Sequence, residues 1–251
     1  MESVAVESVA VGSRTPRSGR ADWRELGTSL TIAVLGATGM VGSRVIDEAR
    51  TRGHRVLALS RKPANLDAGP DLTAIAVDAR DPAAVREAFA GSAAGGAVPD
   101  AIVLTVRTEP VDQAFLIGVT RTALDVSAEL GARLLVVGGA GTLRSPGGQE
   151  LLVADDPVYV PAQWRAVATA GIAQLRTCQA HAGADWAYLS PPALLEPGAR
   201  TGRYLRGGDT LLTGTDGRSW ISAEDLAVAA VDEIETPGPD RHLTVVHRGE
   251  G

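Results

Sequence analysis

Two hydrophobic patterns alternate along this chain from Thr31 onward. Short unbroken apolar runs at Thr31 to Leu35, Arg55 to Ser60, Leu72 to Val77, Asp100 to Val106, Arg133 to Val137 and Ala184 to Ser190 have the length and composition of buried strands. Between them apolar residues recur at helical spacing. Val41, Val45, Ile46 and Ala49 come first, then Ala83 to Ala90, Val111 to about Leu130, and Ala166 to Ala180. The punctuation agrees with this division. Pro82 suits a first helical turn, Gly53 and Gly131 supply left-handed stops, and Ser222 caps a last helix with Glu224 and Asp225 in its first turn. Leu243 to His247 adds a closing strand. The alternation predicts an α/β fold built on a doubly wound parallel sheet. Gly202 to Thr215, with Gly207-Gly208-Asp209 between two short β-like runs, reads as a hairpin forming a pocket wall.

Residues 1–29 lack a core pattern. A repeated Glu-Ser-Val-Ala-Val and a stretch rich in Gly, Ser, Arg and Pro read as a disordered leader, or as an arm that packs on a partner subunit through Trp23 and Leu26. Residues 30–251 are expected to form a single domain. A net charge of −6 leaves no electrostatic footprint for nucleic acid and no polybasic patch for a membrane. The chain also lacks eighteen consecutive apolar residues and the basic-then-apolar layout of a signal peptide. The expectation is a cytoplasmic monomer or homodimer that acts on a small molecule. Cys178 falls on an apolar helical position and reads as a core thiol. His54, His181, His242 and His247 have no metal-ligand spacing, so no metal is expected; His54 in a turn and His181 near a helix end read as solvated. Asp155-Asp156 reads as a loop charge pair.

Candidate chemistry begins at Gly36-Ala37-Thr38-Gly39-Met40-Val41-Gly42, between the first strand and the first helix. A glycine turn here leaves unpaired N–H groups at the positive end of a helix dipole and lets a pyrophosphate approach the backbone. The spacing is G-x-x-G-x-x-G, and its position after a strand and before a helix identifies a nucleotide site. About twenty residues on, where NAD-binding folds place an acid for the ribose hydroxyls, this chain has Ser60-Arg61-Lys62, two cations suited to a 2′-phosphate. NADP is therefore expected over NAD. Past the third strand, Asp78 reads as an adenine contact and Asp81 as the cap of the next helix. Arg107, at the exit of the fourth strand, suits an anionic substrate, the cofactor phosphates or plain solvent.

G-A-T-G-M-V-G after the first strand, Val77-Asp78 after the third, L-L-V-V-G-G-A-G at the fifth, D-W-A-Y-L-S-P-P-A at 185–193 and W-I-S-A-E-D-L-A at 220–227 together resemble the atypical short-chain dehydrogenase/reductases, in particular NmrA-like and biliverdin-reductase-B-like NAD(P)H-binding proteins. The likeness runs from Ile32 onward. It implies a Rossmann sheet with a small C-terminal substrate-side elaboration and NADPH along the carboxyl edge. On this resemblance Gly36, Thr38, Gly39, Met40, Val41 and Gly42 hold the pyrophosphate, and Ser60, Arg61 and Lys62 surround the 2′-phosphate. Asp78 and Ala79 face adenine, Thr105, Val106, Gly138 and Gly139 line the ribose and nicotinamide, and Pro191, Pro192 and Ala193 lie beside the ring.

The catalytic edge departs from the main branch of that superfamily. Its reductases use Tyr-x-x-x-Lys, with a serine after the fifth strand. Here the strand exits into Gly139-Ala140-Gly141, Tyr159 is followed four residues on by Gln163, and Trp164-Arg165 stand where relatives often carry Tyr-Lys. Arg165 suits an anion but is a poor acid. Tyr159, Trp164, Arg165 and Arg107 are the substrate-side candidates, with Tyr159 or solvent as proton source. Three activities fit: an NADPH-dependent oxidoreductase of a carbonyl, enone, flavin or quinone; a redox-neutral isomerase, epimerase, dehydratase or cyclase of secondary metabolism; and an NADP-sensing regulatory protein of the NmrA type.

Overall fold

A computed structural model describes residues 29–63, 69–91, 96–146 and 150–249. Trp23 and Leu26 lie outside them. The strands are β1 (Thr31–Leu35), β2 (Arg55–Ser60), β3 (Leu72–Ala76), β4 (Ala101–Leu104), β5 (Arg133–Val137), β6 (Trp186–Ser190), β7 (Leu194–Glu196), β8 (Tyr204–Gly207), β9 (Trp220–Ser222) and β10 (His242–His247). The helices are α1 (Met40–Thr51), α2 (Pro82–Phe89), α3 (Gln113–Leu130), α4 (Arg165–Gln179) and α5 (Ala223–Glu235). Among the described residues the main sheet has the order β3-β2-β1-β4-β5-β6-β10-β8, all parallel except β8, which runs against β10. The expected doubly wound Rossmann sheet is present, and its strand order reverses between β1 and β4. At such a reversal the flanking connections leave toward opposite faces and open a crevice at the carboxyl edge.

Alternation along the strands divides the core between two faces. Ile32, Val34, Val56, Val103 and Leu135 pack under α1 and α5, while Ala33, Leu35, Leu57, Ile102 and Leu134 pack under α2, α3 and α4. Cys178 belongs to the second face, fully buried, and burial pushes its thiol up to about 12. Asp81 caps α2 by accepting from the N–H groups of Ala83 and Ala84, and Ser222 caps α5 by accepting from Asp225.

Two expectations fail. The run around Gly207-Gly208 forms no hairpin: β8 pairs with the free edge of β10, and Leu211 drops into a small satellite core with Leu143, Val153 and Val160. A long-range edge outcompetes the local turn. His54 is not solvated but buried, its Nδ1 accepting from the N–H of Leu30 at 3.2 Å. Its Nε2 therefore carries the proton and donates to Glu235 at 2.9 Å.

That imidazole belongs to an ion network which anchors α1. Arg52 reaches Glu48, Asp232 and Glu235, and Arg200 grips the buried Glu48 through Nε at 2.7 Å and its terminal nitrogen at 2.9 Å. The hydrogen bond from Arg200, reinforced by Arg52, holds the Glu48 carboxyl below its ordinary range. Glu48→Gln is expected to lower stability by about 2 kcal/mol near neutral pH in urea denaturation. The depressed value makes this contribution complete above the ordinary carboxylate pKa of 4.5 and lost as pH falls through the folded-state value, so the two unfolding curves should converge in acid.

Candidate functional site

The glycine turn is shaped by approaches that exclude side chains. Gly36 has φ +102°, and a Cβ there would lie 2.5 Å from the carbonyl oxygen of Thr105; one on Gly42 would lie 2.2 Å from the oxygen of Gly36. Gly36 and Ala37 donate to the carbonyl of Leu59, and Gly39 donates to Gly36. Gly39 caps α1 without a side-chain hydrogen bond, and no acid stands in the first turn. The N–H groups of Met40, Val41 and Gly42 thus have neither an intrahelical acceptor nor a capping oxygen. The side chains of Met40 and Val41 pack into the core, which leaves their amides as the functional groups.

A groove of about 880 Å³ opens from this turn along the carboxyl ends of β1 to β4. Gly36, Thr38, Gly39, Ser60, Arg61, Asp78, Ala79, Thr105, Val106 and Arg107 line it, so half of the expected cofactor set shares one cavity. Lys62 joins Thr38 and Arg61 in a neighbouring hollow. The hydroxyl of Ser60 is buried and has no hydrogen-bond partner among the described residues. An orphaned hydroxyl beside Arg61 and Lys62 is a donor waiting for an acceptor, and the missing Cβ atoms leave room for one at the turn. These residues fit a phosphorylated dinucleotide. The far wall contains residues that sequence reasoning missed: Arg80, Thr108, Asp112 and Phe115. Asp112 before the helical run had the signature of a cap and does accept from the N–H of Phe115. Arg80 gave no signal, because its role depends on a helix 32 residues away.

The other candidates line no part of this groove. β5 exits through Gly138, where a Cβ would strike the Tyr188 ring, and Gly139, where an added Cβ would meet no atom within 4 Å. Tyr159, Ala140 and Ala193 pack against the satellite core of Leu143, Val153, Val160 and Leu211, and Pro191 and Pro192 are buried. Gly141 touches Ala168 of α4, and one turn before it Arg165 and the 57% exposed Trp164 face solvent. Arg107 is exposed.

Lys62 is the only lysine in the chain, and it lies at the end of β2. Of the three tyrosines, Tyr188 is fully buried and donates to the carbonyl of Gly171, and burial pushes its phenol upward. Tyr204 donates to Asp232 on the anchoring network of α1. Tyr159 packs against the satellite core. Thr142, Ser190 and His242 form a cluster, with 2.7 Å between the hydroxyls and 2.9 Å from Ser190 to the ring; burial lowers the His242 pKa. Asp156 accepts from Ser145 and the N–H of Val158, so the Asp155-Asp156 pair is loop structure. Among the described residues no helix is long and apolar enough to cross a membrane.

Residues 36–237 match a protein family described as NAD(P)H-binding. A Bacillus subtilis protein, YwnB, is 30% identical over 88% of this chain and all of its own length. A 3-diazoavenalumate denitrifying reductase from a Streptomyces species is 29% identical over 82% of this chain and 73% of the relative. Among solved structures, one from Burkholderia pseudomallei described as an exported protein aligns at a TM-score of 0.74, with 36% identity over 87% of this chain and all of that one.

Gly42→Ala places a methyl against the Gly36 carbonyl, and the turn must open to admit it. The variant is expected to lose at least tenfold in affinity for nicotinamide nucleotides and about 1–3 kcal/mol in stability, measured by calorimetric titration and thermal unfolding.

Proposed function

This chain belongs to a protein family described as NAD(P)H-binding, and from that membership we propose that it is an NADPH-dependent reductase of the atypical short-chain type, acting on a small or medium organic acceptor. The observation that carries the cofactor choice is the end of β2. The Ser60 hydroxyl, partnerless among the described residues, is followed by Arg61 and Lys62, two cations suited to an adenosine 2′-phosphate. The Streptomyces relative named as a reductase supports the reaction class.

Bound NADPH supplies a hydride to an acceptor such as a carbonyl, an enone, a flavin or a quinone. The amides of Met40, Val41 and Gly42 hold the pyrophosphate, and Thr105 and Val106 face the nicotinamide half. Gly139 and the Pro191–Ala193 segment border the open edge where an acceptor lies against the ring. Trp164 and Arg165 give that edge an apolar platform and a fixed cation. Tyr159 donates the proton that completes reduction of a carbonyl, without an adjacent lysine.

Purified protein should consume NADPH, followed at the nicotinamide absorbance band, with at least one member of a carbonyl, enone, quinone and flavin panel. Binding without turnover of any acceptor would count against a reductase, and a product isomeric with its substrate would point to the redox-neutral reading. Arg61→Ala with Lys62→Ala should weaken NADPH by about 10- to 100-fold and NADH by less than about threefold; equal losses remove the phosphate assignment. Tyr159→Phe should lower kcat for a carbonyl acceptor by about 100-fold with little change in KM for NADPH.

A further inference from the structure

The groove wall farthest from the catalytic edge carries an assembly that the proposed function has not used. Arg80, just past β3, places its guanidinium carbon 4.6 Å from the centroid of the Phe115 ring on α3. A terminal nitrogen of the same group donates to Asp112 at 3.0 Å. Asp112 is itself fixed: it accepts from the N–H of Phe115 at 2.9 Å, and its own N–H donates to the Thr108 hydroxyl at 2.7 Å. The backbone hydrogen bond from Phe115, aided by Arg80, holds the Asp112 carboxyl below its usual range, so the acid is charged when Arg80 needs it. A long flexible cation is thus held over one ring and pinned by an ion pair. Phe115 packs against the core on its other side. Arg80, Asp112 and Phe115 all line the groove, and the Arg80 side chain remains 54% exposed, so the guanidinium face turned away from Phe115 is open to the cavity.

The topology says which part of a dinucleotide reaches that face. With the pyrophosphate on the turn after β1 and the 2′ group at the end of β2, the adenosine half runs toward β3, and its base arrives at Asp78, Ala79 and Arg80. An adenine ring presents a π face, and a planar guanidinium is the side chain best matched to stack on it. We propose that Arg80 is the adenine platform of this protein: a guanidinium sandwiched between Phe115 and the cofactor base, held in place by its ion pair with Asp112. Because the stack exists before the cofactor arrives, Arg80 loses little side-chain freedom on binding. The proposal rests on the cofactor reading above and adds to it a residue that recognises the base instead of the phosphate.

Calorimetric titration separates this from a charge effect. Arg80→Ala and Arg80→Lys should both weaken NADPH and adenosine 2′,5′-bisphosphate by about tenfold, since lysine keeps the charge and loses the plane. Affinity for ribose 5-phosphate, which lacks the base, should not change, and thermal unfolding midpoints should stay near that of the wild type. Asp112→Asn should give a smaller loss in the same direction. Full affinity in Arg80→Lys would overturn the stack in favour of a simple cation, and full affinity in Arg80→Ala would remove Arg80 from the site. Wild-type protein that binds NADH but not NADPH would overturn the 2′-phosphate assignment alone, and the Arg80 comparison is then read with NADH and AMP. No binding of either nucleotide by the wild type would overturn both readings.

Discussion

The close approach of Gly42 to the carbonyl of Gly36 is the constraint on which the site depends. With a methyl 2.2 Å from that oxygen the turn could not close, α1 would start elsewhere, and its first amides would no longer point into the crevice. The same turn is tied to the sheet by the donations of Gly36 and Ala37 to Leu59 at the end of β2. The glycine turn and the end of β2 are therefore one mechanical unit. The ion network of Glu48, Arg52, Arg200, Asp232 and Glu235 fixes the opposite end of α1, so the helix is held at both ends and its dipole has a fixed aim.

Charge is distributed in keeping with that arrangement. Arginine outnumbers lysine throughout, and many arginines are engaged: Arg44 with Glu224, Arg133 with Glu233, Arg86 with Asp125 and Glu129. These pairs bind helices to one another and to the sheet. Arg61 and Arg107 lie on the groove, and Lys62 lies in the hollow beside it. In a chain of net charge −6, the hollow of Thr38, Arg61 and Lys62 places two cations together with no acid in its lining, and the uncapped start of α1 adds its partial positive charge nearby.

Much of this was legible in the sequence, for a physical reason. Buried parallel strands must be apolar, and helices on a sheet must show a 3.6-residue period, so the strands and helices from β1 through β6 are readable within a few residues. The glycine turn is readable because only glycine tolerates its contacts. Features set by partners distant in the chain were not readable. His54 looked like a turn residue because Leu30 and Glu235, its partners, are 24 and 181 positions away. The second glycine-rich segment looked like a hairpin because nothing local announces the free edge of β10. Arg80 belongs to the same class, since its meaning comes from Phe115 on another helix. The fourth strand ended early because its neighbour β1 ends at Leu35: the N–H of Thr105 makes the last bond to that strand, and a continuous apolar run conceals the loss of the partner.

The catalytic edge limits the chemistry in a way that the cofactor site does not. A simple ketone needs a strong proton donor as hydride arrives, because its alkoxide holds the full charge on one oxygen; the main-branch enzymes meet that need with a tyrosine beside a lysine. The lone lysine of this chain is committed to the other end of the groove, and Tyr188 is sealed in the core. On the proposed reading the edge has Tyr159, the fixed charge of Arg165 and the exposed indole of Trp164. Such a surface favours an acceptor that spreads the incoming charge over a conjugated frame, since a delocalised anion asks less of the donor and a flat apolar body gains from the indole. Quinones, flavins and conjugated enones meet both conditions, whereas an isolated ketone meets neither.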